Sequence, residues 1–413
     1  MKLRNLFIIL AAIIFSGCNA KTAAVKNASI STGNIAETDR NLCIKEDARN
    51  ASLAQLKSAV KNCHTQDNSG NGRMILTASK TPRPLIFDLV HDSYVEEQLE
   101  TTGLLSYLLY RDGKVVVDMK TPSNRMGDVY DDDTLFTSQS VGKSLTGYLV
   151  GHAICAGYIE SLDATLSDWP LFQNTLYENQ KVIDMLNMRA GDAKYVKSNQ
   201  IKFANPQQRE GVNHQHMAYW GQALQGTAPS SFKQFNYSQL VSNMMHNYVQ
   251  FKAGDNYQNL IESLYRSKVG IENSIGIDRV DVFSNISDGL LTTNVYATRY
   301  DFLRMAIAIL EDWQSDTCEG KYLKELYARR ISGNDNHGLF RWRFNGYNTD
   351  YKYAGYFHTD ASRVKGRAFI LHGFGGQIIL INFDTGVIVA TQAAHEDFIS
   401  KKLIVDAANR SGR

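Results

Sequence analysis

Proline is scarce in this chain, with 6 in 413 residues, cysteine scarcer at 5, and neither sign of charge dominates. Lys and Arg total 44 against 42 Asp and Glu, a formal charge of +2, so there is no electrostatic footprint for nucleic acid. Hydrophobic residues at 43% and charged residues at 21% exclude a disordered or fibrous chain. The length suits two or three domains, or one large core carrying an insertion. Nucleotide and metal signatures are missing too. There is no P-loop and no G-x-S-x-G elbow, and no Cys/His spacing suits zinc. His395-Glu396-Asp397-Phe398-Ile399 lacks the second His of a zinc helix, and Asp67–Gly72 starts like a calcium loop but has Ala78 where the bidentate Glu belongs. No metal or organic cofactor is therefore expected.

The one long apolar run, Leu6 to Phe15 behind Lys2 and Arg4, is too short to span a bilayer and has the length of a secretion-signal core. Phe15-Ser16-Gly17-Cys18 closes it and resembles a bacterial lipobox, which implies a signal peptide over 1–17 and a lipid on Cys18. Asn19 stands where Asp would imply inner-membrane retention, so the resemblance implies a periplasm-facing envelope lipoprotein with an outer-membrane anchor. A plain secreted protein is the alternative. Residues 18–40, rich in Ala, Ser, Thr, Asn and Lys, read as a flexible tether. Of the other cysteines, Cys43 and Cys63 are expected to pair in an oxidising envelope, while Cys155, inside an apolar helical pattern, is expected to be a buried thiol.

A short amphipathic helix is expected over Asn50 to Val60, within an N-terminal extension covering 41–99. Leu104–Leu109, the turn Arg111-Asp112-Gly113-Lys114 and Val115–Met119 predict a hairpin. Further strands are predicted at Ala368–His372, Gln377–Phe383 and Val387–Gln392. Between these ends, apolar residues recur at helical spacing over Leu145–Tyr158, Val182–Met188, Leu240–Tyr248, Tyr257–Tyr265 and Tyr300–Leu310. The expectation is an α+β fold. Its antiparallel sheet, flanked by helices, comes from residues 100–160 and 288–413, with a mostly helical subdomain over 161–287.

Ser140-Val141-Gly142-Lys143 is a Ser-x-x-Lys tetrad, and on a helix the first and fourth residues share a face. An amine beside the hydroxyl can take its proton and activate it as a nucleophile. The tetrad recurs at Ser58/Lys61, Ser230/Lys233 and Ser362/Lys365, but only Ser140 follows a strand-like segment, Thr134–Thr137, and opens a long apolar helix. Its hydroxyl and N–H would then stand at a positive helix end. A serine there can equally be an ordinary cap.

Phe136-Thr137-Ser138-Gln139-Ser140-Val141-Gly142-Lys143-Ser144, followed by Ala156-Gly157-Tyr158-Ile159, Leu162-Asp163 and Val182–Gly191, resembles the β-lactamase-related serine hydrolases. The resemblance covers about residues 100–395 and implies the β-lactamase/transpeptidase-like fold. It makes Ser140 the nucleophile and Lys143 its partner in proton transfer. Phe235-Asn236-Tyr237-Ser238-Gln239 is similar to the family's tyrosine motif, with Gln239 in place of Asn. Tyr237 would share the proton and Gln239 would meet substrate. The tripeptide Tyr-x-Asn also occurs at Tyr177 and Tyr257, where a core aromatic is the plainer reading. Leu371–Gln377 resembles the Gly-rich strand end of the 6-aminohexanoate-oligomer hydrolase branch. By that likeness the Ser140 and Phe374 amides hold the oxyanion, with Gly373 and Gln377 at the substrate. Leu371 replaces the cation of true β-lactamases, which disfavours that activity.

Asp288–Thr293 is similar to the stretch that returns the family's chain to its α/β domain. Trp220 and Tyr219 are candidates for a substrate cleft or for the core. The implied activity is acyl transfer on amide or ester bonds of small, oligoamide-like substrates. A cell-wall-peptide peptidase or esterase shares the mechanism, and a binding protein that keeps the fold without turnover is the alternative from another class.

Overall fold

The computed structural model describes residues 51–66, 73–197, 200–201, 217–279, 290–332, 352–361, 363–398 and 401–409. All of them fall in one compact unit, Glu37–Arg413.

Two antiparallel sheets carry the architecture. The larger has eight strands in the order Ile331–Ser332, Lys352–Ala354, Phe357–Thr359, Ala368–Gly373, Gln377–Asn382, Val387–Ala393, Leu104–Arg111 and Lys114–Lys120. Its N-terminal hairpin turns at Asp112 and Gly113, both at positive φ, the conformation that matches a two-residue turn to the strand twist. The last long strand pairs with the first strand of that hairpin, Val389 opposite Leu109. Strands more than 270 residues apart in sequence thus sit side by side in one sheet.

Side-chain alternation gives this sheet two faces. Phe369, Leu371, Ile379 and Ile381 join the helical core, while Ile370, Ile378 and Leu380 pack on the other face with Leu99, Tyr107, Phe398 and Leu403. A sheet covered on both sides needs continuous apolar strands, which is what Ala368–Leu371 and Ile378–Ile381 are.

The second sheet has five strands: Thr65–Gln66, Leu135–Thr137, Leu291–Ala297, Ile275–Arg279 and Arg73–Leu76. Two of these, Thr65–Gln66 and Arg73–Leu76, come from the N-terminal extension. The predicted helices form at Leu53–Ala59, Val141–Cys155, Val182–Leu186, Gln239–Ala253, Tyr257–Glu262 and Arg299–Gln314. Ser52 caps the first of them in a reciprocal box with Gln55. A further helix runs over Cys318–Ala328.

The helix Val141–Cys155 is the centre of the molecule, buried along nearly its whole length. A Cβ on Gly142 would stand 1.8 Å from the Thr293 carbonyl oxygen, so only glycine lets this helix meet the strand Leu291–Ala297. Cys155 corrects the sequence reading. It is not a free thiol but is bonded to Cys318, across 163 residues. Helical periodicity marked Cys155 as buried and could not reveal that the packing of Cys318–Ala328 brings a second sulfur to the helix end. Cys63 is also disulfide-bonded. Cys43 and Cys18 lie outside the described residues, as does Asp67–Gly72.

Candidate active site

Ser140 is reached from the strand Leu135–Thr137 through a strained residue, Gln139, whose φ is 49°. A non-glycine side chain in the left-handed region is costly and is held only where surrounding contacts demand it. Ser140 then stands at the N-cap of the 15-residue helix, and its side chain makes no capping bond. Its hydroxyl accepts instead from Lys143 Nζ at 2.9 Å. Lys143 is buried and Ser140 half-buried.

The other tetrads do not reproduce this contact. Lys233 Nζ turns to Gln180 and Asp184, both at 2.7 Å. The Ser58 hydroxyl accepts from Asn62, and Ser362 lies outside the described residues.

Tyr237 comes from the inserted region, just ahead of the helix Gln239–Ala253, whose N-cap is Ser238. The centre of its half-buried ring is 5.1 Å from Lys143 Nζ, inside cation–π range. The residue before it is locked. Asn236 donates through Nδ2 to the buried Asp192 carboxylate at 2.8 Å and to the Val196 carbonyl at 3.2 Å, and its backbone N–H donates to Met188. Tyr177 donates its hydroxyl to the other Asp192 oxygen at 2.8 Å. Burial pushes the Asp192 carboxyl above its usual range, against those two bonds.

Register in space thus separates the three tyrosines. Tyr177 serves Asp192, and Tyr257 meets His246 Nε2 at 2.7 Å in the core. Tyr237 faces Lys143.

The strand Ala368–Gly373 ends against the turn that leads into Ser140. A Cβ on Gly373 would meet the Ser138 carbonyl oxygen at 2.7 Å and Gln139 Cβ at 3.0 Å. Gly373 and the half-buried Phe374 therefore stand beside the residues leading into Ser140, where amides at a helix start and a strand bend can stabilise an oxyanion. Leu371 lies buried in the helical core, and its neighbour His372, also buried, pairs with Glu396 at 3.0 Å.

Two expected substrate contacts are placed differently. Gln377 is buried and donates its amide to the Ala393 carbonyl at 2.6 Å, so it supports the turn from below rather than facing a substrate. The likeness to a motif identified the residue, and the Ala393 carbonyl that accepts its amide holds the side chain in the interior. Gln239 donates its amide to Thr293 Oγ1 at 2.8 Å and Asn243 Oδ1 at 3.1 Å, tying the tyrosine loop to the strand beneath the Ser140 helix. Trp220 is a core residue. Asp192 carried no sequence signal, because a lone Asp after a glycine is an ordinary feature until packing places it.

Among the described residues no group of three His, Cys, Asp or Glu side chains is placed to hold a metal ion. The arrangement sets an amine within hydrogen-bond reach of a hydroxyl at a helix N-terminus, with a tyrosine ring beside the amine.

No family model matches the chain, and no curated protein matches it. Solved structures do. A Bacillus anthracis protein assigned as a 6-aminohexanoate-dimer hydrolase superposes with a TM-score of 0.57 at 13% identity, covering 81% of this chain and 90% of that one. A penicillin-binding protein homologue from Caulobacter crescentus gives 0.56 at 15% identity, covering 78% and 99%. EstCE1, a hydrolase with promiscuous acyltransferase activity, gives 0.54 at 13% identity, covering 77% and 97%. With its mixed antiparallel sheets and helices, the chain has the fold of the β-lactamase and penicillin-binding-protein-like serine hydrolases.

Proposed function

We propose that this protein is a serine hydrolase that cleaves amide or ester bonds of small substrates through an acyl-enzyme, tethered to the cell envelope by a lipid on Cys18. The contact between Lys143 Nζ and Ser140 Oγ, 2.9 Å, carries this reading. Ser140 Oγ attacks the carbonyl carbon as the Lys143–Tyr237 pair takes the hydroxyl proton. The oxyanion is met by the amides of Ser140 and Phe374. The pair then returns the proton to the departing amine or alcohol, and water repeats the sequence to release the acid.

Oligoamide-like substrates are favoured by the branch resemblance and by the description of the Bacillus anthracis protein. A β-lactam is disfavoured, because Leu371 is a buried aliphatic residue where a cation would meet the drug's carboxylate. The commitment of Gln239 to Thr293 and Asn243 favours a second reading, a binding protein without turnover.

A fluorophosphonate probe and p-nitrophenyl butyrate separate the two. Ser140 is expected to be labelled, with labelling and turnover abolished in Ser140→Ala. Lys143→Ala is expected to lower kcat/KM by about 10²–10⁴-fold while remaining folded. Absence of Ser140-dependent labelling and of turnover in the wild type would leave the binding protein.

A further inference from the structure

The N-terminal extension reaches the catalytic centre from below. After the helix Leu53–Ala59 the chain makes one wide turn, Val60–His64, closed by Thr65 Oγ1 donating to the Val60 carbonyl at 3.0 Å. It then pairs with the strand that leads into Ser140, Thr65 opposite Phe136 and Gln66 opposite Leu135. His64, between these features, is 1% exposed.

His64 lies directly against the Gly-rich turn at the end of the strand Ala368–Gly373. A Cβ on Gly375 would fall 2.8 Å from His64 Cε1 and 3.5 Å from Nε2, so the backbone rests on the imidazole edge, and glycine at positive φ is what permits that approach. Gln377 Nε2 stands 3.5 Å from His64 Nδ1 and donates to Ala393. On the other side of the same turn, Gly376 is closed in by Phe398 and Ala393, and Gly373 by Ser138 and Gln139. The turn is held at Gly373, Gly375 and Gly376, and the imidazole is its neighbour at Gly375. Cys63, the residue before His64, is held by a disulfide.

From this placement we propose that His64 is a positioning residue for the oxyanion-binding turn, so that the N-terminal segment Val60–Gln66 is a working part of the active site. This rests on the serine-hydrolase reading above. The physical reason is displacement. Removing the imidazole leaves an unfilled space under Gly375, the turn relaxes into it, and the Phe374 amide withdraws from where negative charge develops at the carbonyl oxygen. A misplacement on the order of 1 Å is enough to slow chemistry about 100-fold. Ground-state binding, which does not depend on that amide, is left nearly unchanged.

The test compares wild type, His64→Ala and His64→Gln, with functional sites counted by fluorophosphonate titration. Support is a fall in kcat per titrated Ser140 of 10-fold or more in His64→Ala with KM within 2-fold, and partial recovery in His64→Gln, which refills the space and keeps an N–H donor. A lower melting temperature with unchanged kcat per titrated site would mean His64 only stabilises the fold, and would overturn the proposal. A second readout does not need turnover: hydrogen exchange of the peptide spanning Gly373–Gln377, against the strand Leu104–Arg111 as control. Exchange at least 10-fold faster in the turn alone supports the proposal, and equal exchange overturns it. Should the wild type prove inert to the probe, the hydrolase reading fails by that result, and the exchange measurement still decides whether His64 supports the turn.

Discussion

Asn236 donates to the buried carboxylate of Asp192 at 2.8 Å, and the next residue in the chain is Tyr237, whose ring faces Lys143. A buried carboxyl therefore fixes the loop that brings the Tyr237 ring to Lys143. Asp192→Ala strands the Asn236 amide and the Tyr177 hydroxyl in the core. It is expected to cost about 2–4 kcal/mol of stability, by loss of buried hydrogen bonds. Asp192→Asn keeps one acceptor and should cost less. Both should lower kcat more than they raise KM, and urea melts beside steady-state kinetics check the pair. A variant with native stability and kcat would show that the lock is dispensable.

Gly373 gives a sharper test of the other half of the site. Its missing side chain is the space occupied by the Ser138 carbonyl, 2.7 Å from a built Cβ. In Gly373→Ala the strand end must retreat from Ser138 and Gln139. Turnover is expected to fall on the order of 100-fold, with the eight-stranded sheet intact by circular dichroism. Wild-type turnover in this variant would mean that the bend is not part of the chemistry.

Acid should destabilise the protein earlier than its paired carboxylates predict. Burial lowers both His64 and His246 to a pKa of about 4, from 6.5 in an open chain. As pH falls through 6.5 the unfolded chain binds protons that the native core refuses, so stability is lost from there down to about pH 4. Each histidine accounts for about 3 kcal/mol when the window is crossed. Urea denaturation at pH 7 and pH 4.5 measures the loss. His246→Gln should remove roughly half of it, at the expense of the bond to Tyr257. Equal stability at the two pH values would contradict the burial of both rings as neutral species.

The bond between Cys155 and Cys318 staples the far end of the Ser140 helix to the helix Cys318–Ala328. The double variant Cys155→Ser, Cys318→Ser isolates it from the bond at Cys63 and is expected to lose about 2–5 kcal/mol. Because the staple is a whole helix away from Ser140, kcat at a temperature well below the melt should stay within a few-fold of wild type. A large drop in kcat without loss of stability would assign the bond a different role.

The hairpin around Asp112-Gly113 and the three C-terminal strands were legible because turn residues and apolar runs are local signals, and the structure places strands at Leu104–Arg111, Lys114–Lys120, Ala368–Gly373, Gln377–Asn382 and Val387–Ala393. The long helices showed through their periodicity for the same reason. The two-residue strand Thr65–Gln66 and the four-residue strand Arg73–Leu76 did not, since strands that short have no period to detect. Within the site, Ser140 and Lys143 could be paired from their spacing on one helix. Tyr237 could be nominated by likeness, but Tyr177 and Tyr257 carried the same tripeptide. Gln377 was nominated the same way and turned out to face the interior.

What the sequence determined by itself is whatever depends on residues within about a turn of helix or a pair of strands: the hairpins, the long helices, and an amine three residues from a hydroxyl. Tertiary packing decided which tyrosine meets that amine, which cysteine takes Cys155, and that a histidine from the N-terminal extension lies under the Gly-rich turn. Those choices depend on distances between elements far apart in the chain, and they are set by how the helix Val141–Cys155 seats between two sheets.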